Sequence, residues 1–142
     1  MPVTRSHHCV YDTHYHLVLP LKYRKALLSK TVVATLRATM AGIEERYDLN
    51  IEQSGDDTNH IHLLLSFHPK YSIGQVVRLF KSVTAKQLFI AHPDLKKDLW
   101  GGEFWSDGYY AATVGTGGSW AVVETYVKRQ GKNPKDLQLS IW

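Results

Sequence analysis

The sequence predicts an α+β domain: an antiparallel sheet of about four strands with helices packed on one of its faces. Three observations predict it. In Asn59-His60-Ile61-His62-Leu63-Leu64-Leu65-Ser66-Phe67 the period-two pleat puts Ile61, Leu63, Leu65 and Phe67 on one face and His60 and His62 on the other. Residues 30–47 and 73–91 repeat apolar side chains at helical spacing. A polar, glycine-containing stretch, Gly55-Asp56-Asp57-Thr58-Asn59, joins two strand-like runs as a hairpin does.

The 142 residues suit a single domain, 1–142, with a core at about 13–131 and a tail at 132–142. Cys9 is the one cysteine, which excludes an intramolecular disulfide and a cysteine-based zinc cage. No apolar run approaches the ~20 residues that span a bilayer, and residues 1–8 lack the apolar core of a signal peptide. The expectation is a cytoplasmic protein without a membrane partner. Net charge is +4, and the cations cluster: Lys22, Arg24 and Lys25; Arg78, Lys81 and Lys86; Lys128, Arg129 and Lys132. Such clusters suit a nucleic-acid backbone, although charge runs also mark solvated faces.

In chain order, a polar arm leads into a strand at 13–20, rich in β-formers, where Pro20 marks an edge or an ending. His14 and His16 form a second alternating pair there, with no acidic or amide partner evident in the sequence, and Tyr15 and Leu17 take the opposite face. Ser29 is a suitable N-cap for the helix at 30–47, whose stripe is Val33, Leu36, Met40, Ile43 and Tyr47 with Arg37 as its polar exception. A strand at 49–54 precedes the hairpin, in which Asp56 and Asp57 read either as turn formers or as contributors of a metal ligand, the former being commoner for acidic residues in a turn. His68-Pro69 ends the histidine strand. Ser72 caps the helix at 73–91, with Ile73, Val76, Val77, Phe80, Val83 or Thr84, and Leu88 facing inward. Residues 92–100 are a short turn or helical piece, 101–108 an aromatic segment punctuated by glycines, and 109–114 a fourth strand. Gly115-Thr116-Gly117-Gly118 lacks the GxxxxGK[ST] pattern of a nucleotide-phosphate loop and reads as a link hinged at Gly117 and Gly118. Ser119 caps a last helix at 120–130, ended by Gly131. The order β-α-β-β-α-β-α matches a ferredoxin-like or RRM-like core with an extra C-terminal helix.

Two imidazoles one pleat apart can converge on one divalent metal, or can simply be half-buried, hydrogen-bonded side chains. Tyr126 and Gln130, four residues apart, share a helix face. They read either as a nucleophile and a neutral oxygen ligand, or as a core-capping phenol and a solvated amide. In the first case two histidines and an amide oxygen leave metal positions open for a phosphate oxygen.

His60-Ile61-His62 resembles the histidine-hydrophobic-histidine (HUH) motif, and Tyr126-Val127-Lys128-Arg129-Gln130 resembles the tyrosine-and-glutamine helix of single-tyrosine HUH transposases. These are the TnpA-type enzymes of minimal bacterial insertion sequences, the IS200/IS605-like group. Tyr15-His16-Leu17-Val18 with Lys22-Tyr23-Arg24, and Leu99-Trp100-Gly101-Gly102-Glu103-Phe104-Trp105-Ser106, extend the resemblance across residues 13–130. Asn59 stands where an Asp is common in the family. The resemblance implies a single-stranded DNA transposase that recognises hairpin ends, uses Mg²⁺ or Mn²⁺, and cleaves and joins strands through a 5′-phosphotyrosine. It further implies a homodimer with active sites completed in trans. Tyr126 is then the nucleophile, and His60, His62 and Gln130 are the metal ligands. Lys22, Arg24, Lys25, Arg78, Lys81 and Lys86 are the expected DNA contacts. Other readings are a domesticated, repeat-associated relative, a non-catalytic nucleic-acid-binding module with an RRM-like sheet, and a metal-dependent hydrolase using His60, His62 and His68.

Overall fold

The computed structural model describes residues 3–99 and 101–114. The elements are β1 (Thr4–Ser6), β2 (Cys9–Tyr11), β3 (Tyr15–Pro20), a 3-10 turn (Lys22–Arg24), α1 (Lys30–Arg46), β4 (Leu49–Asp57), β5 (His60–Phe67), α2 (Ile73–Ala91), α3 (Leu95–Asp98) and β6 (Tyr110–Thr113). Strands β4-β5-β3-β6 form one four-stranded sheet in that order, every neighbouring pair antiparallel. The strands joined through a helix, β3 with β4 and β5 with β6, are each separated by one strand, which is the split βαβ arrangement of ferredoxin-like domains. The α+β expectation therefore holds. The helix expected over 120–130, the Gly117–Gly118 link and the tail at 132–142 lie outside the described residues.

Alternation along the two central strands builds the core. Leu17 and Leu19 from β3 join Ile61, Leu63, Leu65 and Phe67 from β5 on the helix-facing side. Val32, Leu36, Met40 and Ile43 of α1 and Val76, Val77, Phe80 and Leu88 of α2 cover them. Each such side chain contributes roughly 1.5–3 kcal/mol on burial. The stripe of α1 is centred on Val32 instead of Val33, one residue from its expected position. Arg37, off the stripe, reaches the outer strand instead, bonding Ser54 Oγ at 3.2 Å and Asp56 at 3.5 Å. Capping is as the sequence suggests: Ser29 Oγ accepts from Val32 N, and Ser72 with Gln75 forms a reciprocal capping box.

Three expectations are corrected. The N-terminal arm is a small hairpin, β1 against β2, turning at His8 with a positive φ of 62°. Strand β4 runs on to Asp57, so Thr58-Asn59 alone makes the turn, where Asp57 Oδ1 accepts from Thr58 N. Most of the expected loop is ladder because Ser54 to Asp57 pair with Leu63 to His60. Of the two readings of Pro20 the ending holds, since β3 stops there, and the edge does not, since β3 is interior; the Pro20 carbonyl accepts from Ser106 N at 2.9 Å, and Leu21 bridges to Trp105.

Those contacts bring the aromatic 101–108 segment over the middle of α2, at Phe80, Lys81 and Thr84. Phe104 and Trp105 are buried with ring centroids 4.8 Å apart. The Trp105 Nε1–H donates to Thr84 Oγ1 at 2.9 Å, and the Thr84 hydroxyl donates to Phe80 O. Thr84 is thus the polar position in an apolar stripe because a buried indole N–H needs an acceptor. No helix among the described residues is long and apolar enough to cross a membrane. Thr84→Val is expected to cost about 1–3 kcal/mol in urea unfolding, the penalty of a buried unsatisfied donor. A loss below ~0.5 kcal/mol would show that the indole finds another acceptor.

Candidate active site

The sheet face opposite the helices carries the polar chemistry. Register places Val18 across from His62 and His16 across from Leu64 on the two central strands. On the far side of β3, Tyr110 pairs with Val18 and Ala112 with His16. His16, His62, His60 and Tyr110 therefore share one surface. Ring centroids of His60 and His62 lie 6.4 Å apart, those of His16 and His62 6.1 Å, and those of His16 and Tyr110 6.4 Å.

Each histidine of the pair is positioned by a neighbour. His60 Nδ1 lies 2.8 Å from Asn59 Oδ1. Facing an amide oxygen, Nδ1 carries the proton, and the neutral ring keeps its lone pair on Nε2. His62 lies over Gly55, its partner on β4. A Cβ at Gly55 would stand 2.5 Å from His62 Cε1 and 2.6 Å from Nε2, so only glycine leaves room for the ring. Gly55, expected as a turn residue, is instead the floor under the imidazole.

Both His16 and His60 resist protonation. Burial, reinforced by His62, lowers His16 to about 4. For His60 burial again dominates; Asp57 opposes it, while His62 and Arg24 add to it. A neutral imidazole is the form that ligates a metal, so the donor chemistry of His60, with a second imidazole beside it on His62, fits a divalent ion. Among the described residues no group of three or more His, Cys, Asp or Glu side chains is arranged to hold one. The expected third donor, Gln130, and the expected nucleophile, Tyr126, lie outside the described residues.

The second histidine pair is split between two tasks. His16 joins the polar face. His14, expected to have no partner, is buried between Asp12 Oδ1 at 2.7 Å and Glu52 Oε1 at 2.6 Å. Glu52 falls at the register break between Ile51 and Gln53, a bulge that turns its carboxylate onto this face. His68 takes no part: its Nδ1 accepts from Lys70 N at 3.0 Å.

The expected DNA contacts differ in their surroundings. Lys25, Arg78 and Lys86 are exposed, and Lys22, Arg24 and Lys81 are half-buried. Lys22 Nζ pairs with Glu103 at 2.8 Å and Asp107 at 3.8 Å. Lys81 Nζ donates to the carbonyls of Ser106 (2.7 Å), Asp107 and Gly108 (3.3 Å each), which ties α2 to the aromatic segment. Tyr23 and Arg24 hold successive left-handed conformations, φ 58° and 53°, at roughly 1–2 kcal/mol each for non-glycine residues.

Gly55→Ala is expected to displace the His62 ring, read as a shift of its imidazole NMR resonances with those of the remote His92 unmoved; unmoved His62 signals would refute the steric argument. The histidine burial sets a pH dependence. Between about 6.5 and 4, unfolded His16 takes a proton that the folded residue refuses. Stability is therefore greatest above ~6.5 and falls as pH drops toward about 4. Thermal unfolding across that window should show the decline, and His16→Gln should flatten it; an unchanged slope would assign the decline to other groups.

Comparison with known proteins gives the family. Residues 9–130 match the family described as IS200-like transposases. The chain is 33% identical over 121 residues to the ISDra2 transposase TnpA of Deinococcus radiodurans, covering 85% of this chain and 86% of that one. It is 30% identical over 135 residues to the transposase for insertion sequence element IS200 of Salmonella typhimurium, covering 94% and 88%. A crystal structure of a Deinococcus radiodurans protein assigned as a transposase superposes with a TM-score of 0.73 at 29% identity, over 89% of this chain and 97% of that one. A REP-associated tyrosine transposase, solved bound to a REP hairpin, shares the fold with a TM-score of 0.51 at 12% identity, over 82% and 64%. With that match across most of its length, the chain belongs to the IS200-like family of tyrosine transposases.

Proposed function

We propose that this transposase cleaves and rejoins single-stranded DNA through a covalent 5′-phosphotyrosine on Tyr126. The observation that carries the reading is the pair of adjacent imidazoles, His60 and His62, on the polar face of the central strand β5. Asn59 orients one and Gly55 gives room to the other. His60 and His62, with Gln130, would hold a Mg²⁺ or Mn²⁺ ion. When bound, the ion supplies Lewis-acid polarisation of the scissile phosphate and offsets charge in the transition state.

The Tyr126 phenol, ordinarily with a pKa of about 10, gives up its proton and its oxygen attacks the phosphorus. The tyrosine O–P bond forms, the P–O3′ bond breaks, and the departing 3′ oxygen takes a proton. Joining reverses this sequence: an incoming 3′-hydroxyl attacks the phosphotyrosine, and Tyr126 leaves and regains its proton. Bond energy is kept, so no nucleotide cofactor is needed. A Gly117–Gly118 hinge would carry the tyrosine helix between strands to be joined, across the two subunits of a homodimer.

Hairpin-bearing DNA ends are the proposed substrate. A relative of the same fold was solved on a REP hairpin, which also keeps a domesticated, repeat-associated role as the second reading; the same residues would serve it. The test incubates the protein with Mn²⁺ and single-stranded DNA from the flanks of its own gene. A denaturation-resistant adduct mapped to Tyr126 is expected, absent in Tyr126→Phe and after chelation, and lost in His62→Ala. Tight binding without an adduct would favour a non-catalytic binding module, and hydrolysis without an adduct a metal-dependent hydrolase. Asn59→Ala is expected to raise the Mn²⁺ concentration for half-maximal adduct by about 10–100-fold. An unchanged metal requirement would remove Asn59 from the site.

A further inference from the structure

Strand β6 is four residues long and, among the described residues, borders only β3. Ala111 and Ala112 give it little apolar surface to bury, so by itself its end would open easily. The ladder is carried one step further by Val114 N, which donates to His14 O at 2.8 Å. His14 is thus the partner of the chain at the point where it runs on to Gly115. The His14 side chain is buried and engaged at both ring nitrogens, Nε2 with Asp12 Oδ1 at 2.7 Å and Nδ1 with Glu52 Oε1 at 2.6 Å. Asp12 lies in the connection from β2, and Glu52 on the outer strand β4. A single contact lets a ring pivot about it; two, from separate segments, hold ring and backbone together.

We infer that the Asp12–His14–Glu52 bridge makes His14 a positioning residue for Tyr126, because it fixes at Val114 the point from which the 115–118 link departs. The inference rests on the tyrosine chemistry proposed above, in which a hinge at Gly117 and Gly118 carries the nucleophile. A hinge delivers its load to one place only when its near end is held. Slack in β6 would add to the swing, and the phenol would spend less time in line with the phosphorus. The anchor also shares a frame with the histidine pair. His14 is four residues from Val18, the partner of His62, or about 13 Å along the strand. This role requires no contact between His14 and DNA or metal.

The experiment follows Glu52→Ala, Asp12→Ala and Glu52→Gln by amide hydrogen exchange and by adduct formation with Mn²⁺ and single-stranded DNA. Glutamine keeps an oxygen and adds an N–H, so it can still meet the ring. Both alanine variants are expected to speed exchange of the Val114 amide by about 10-fold or more, with the Leu17 and Leu63 amides of the central strands unmoved. Their adduct rate at saturating DNA should fall by about 10–100-fold. The DNA concentration for half-maximal rate and the Mn²⁺ affinity should stay within a few-fold of wild type. Glu52→Gln should restore both exchange and rate to within a few-fold of wild type. Asp12→Ala, which changes no strand residue, carries the test if Glu52→Ala fails to fold. Unchanged Val114 exchange overturns the inference, as does faster exchange with an undiminished adduct rate. Equal acceleration at Leu17 and Leu63, a rate loss matched by loss of Mn²⁺ affinity, or a loss that Glu52→Gln does not restore makes the bridge a support of the whole sheet and overturns it too. In all these cases the wild-type adduct on Tyr126 stands. Absence of any wild-type adduct overturns the proposed function and this inference together.

Discussion

The structure depends on one register: β3 against β5, from Tyr15 opposite Leu65 to Pro20 opposite His60. Because side chains alternate with period two, this pairing sends Leu17, Leu19, Ile61, Leu63 and Leu65 into the core and His16, His60 and His62 to the other face. A slip of one residue in either strand would bury imidazoles among leucines and expose the leucines. Fold stability and site geometry are therefore the same constraint. Nothing can loosen the core between the two strands without also moving the histidines.

That identity explains why so much was legible from the chain alone. The alternation in 59–67 carries both the core face and the histidine pair, and the helical stripes of 30–47 and 73–91 follow from spacing. The missed features arise from contacts between distant segments. No local signal says that Glu52 sits at a bulge and meets His14, since the two are 38 residues apart. Gly55 lies among turn formers, and only its placement opposite His62 shows that the missing side chain matters. The polar Thr84 within an apolar stripe was a clue, but its indole partner came from the aromatic segment 21 residues on. Basic residues were the hardest to read. Lys22 and Lys81 are alike in sequence to Lys25 and Lys86, yet the first two hold the aromatic segment in place while the others face solvent.

Membership of the IS200-like transposases joins these pieces into a consistent account. The sheet is the platform, and the described members of the candidate site, His60 and His62, stand on its central strand β5. The neighbours of those groups are small or neutral: an amide beside His60, a glycine beneath His62, a second neutral imidazole at His16. Such surroundings leave room for two imidazoles close together, and burial keeps the His60 ring from protonating.

The Asp12–His14–Glu52 bridge has a mechanical meaning of its own. Glu52 belongs to the outermost strand β4, and Asp12 immediately follows the small N-terminal hairpin. Peripheral pieces of this kind ordinarily fray independently and at low free-energy cost. Stapled through one buried imidazole, His14, immediately before the central strand β3, they are tied to each other and not only to their own neighbours. Fraying at the rim of the sheet is thereby coupled to the chain's first turns.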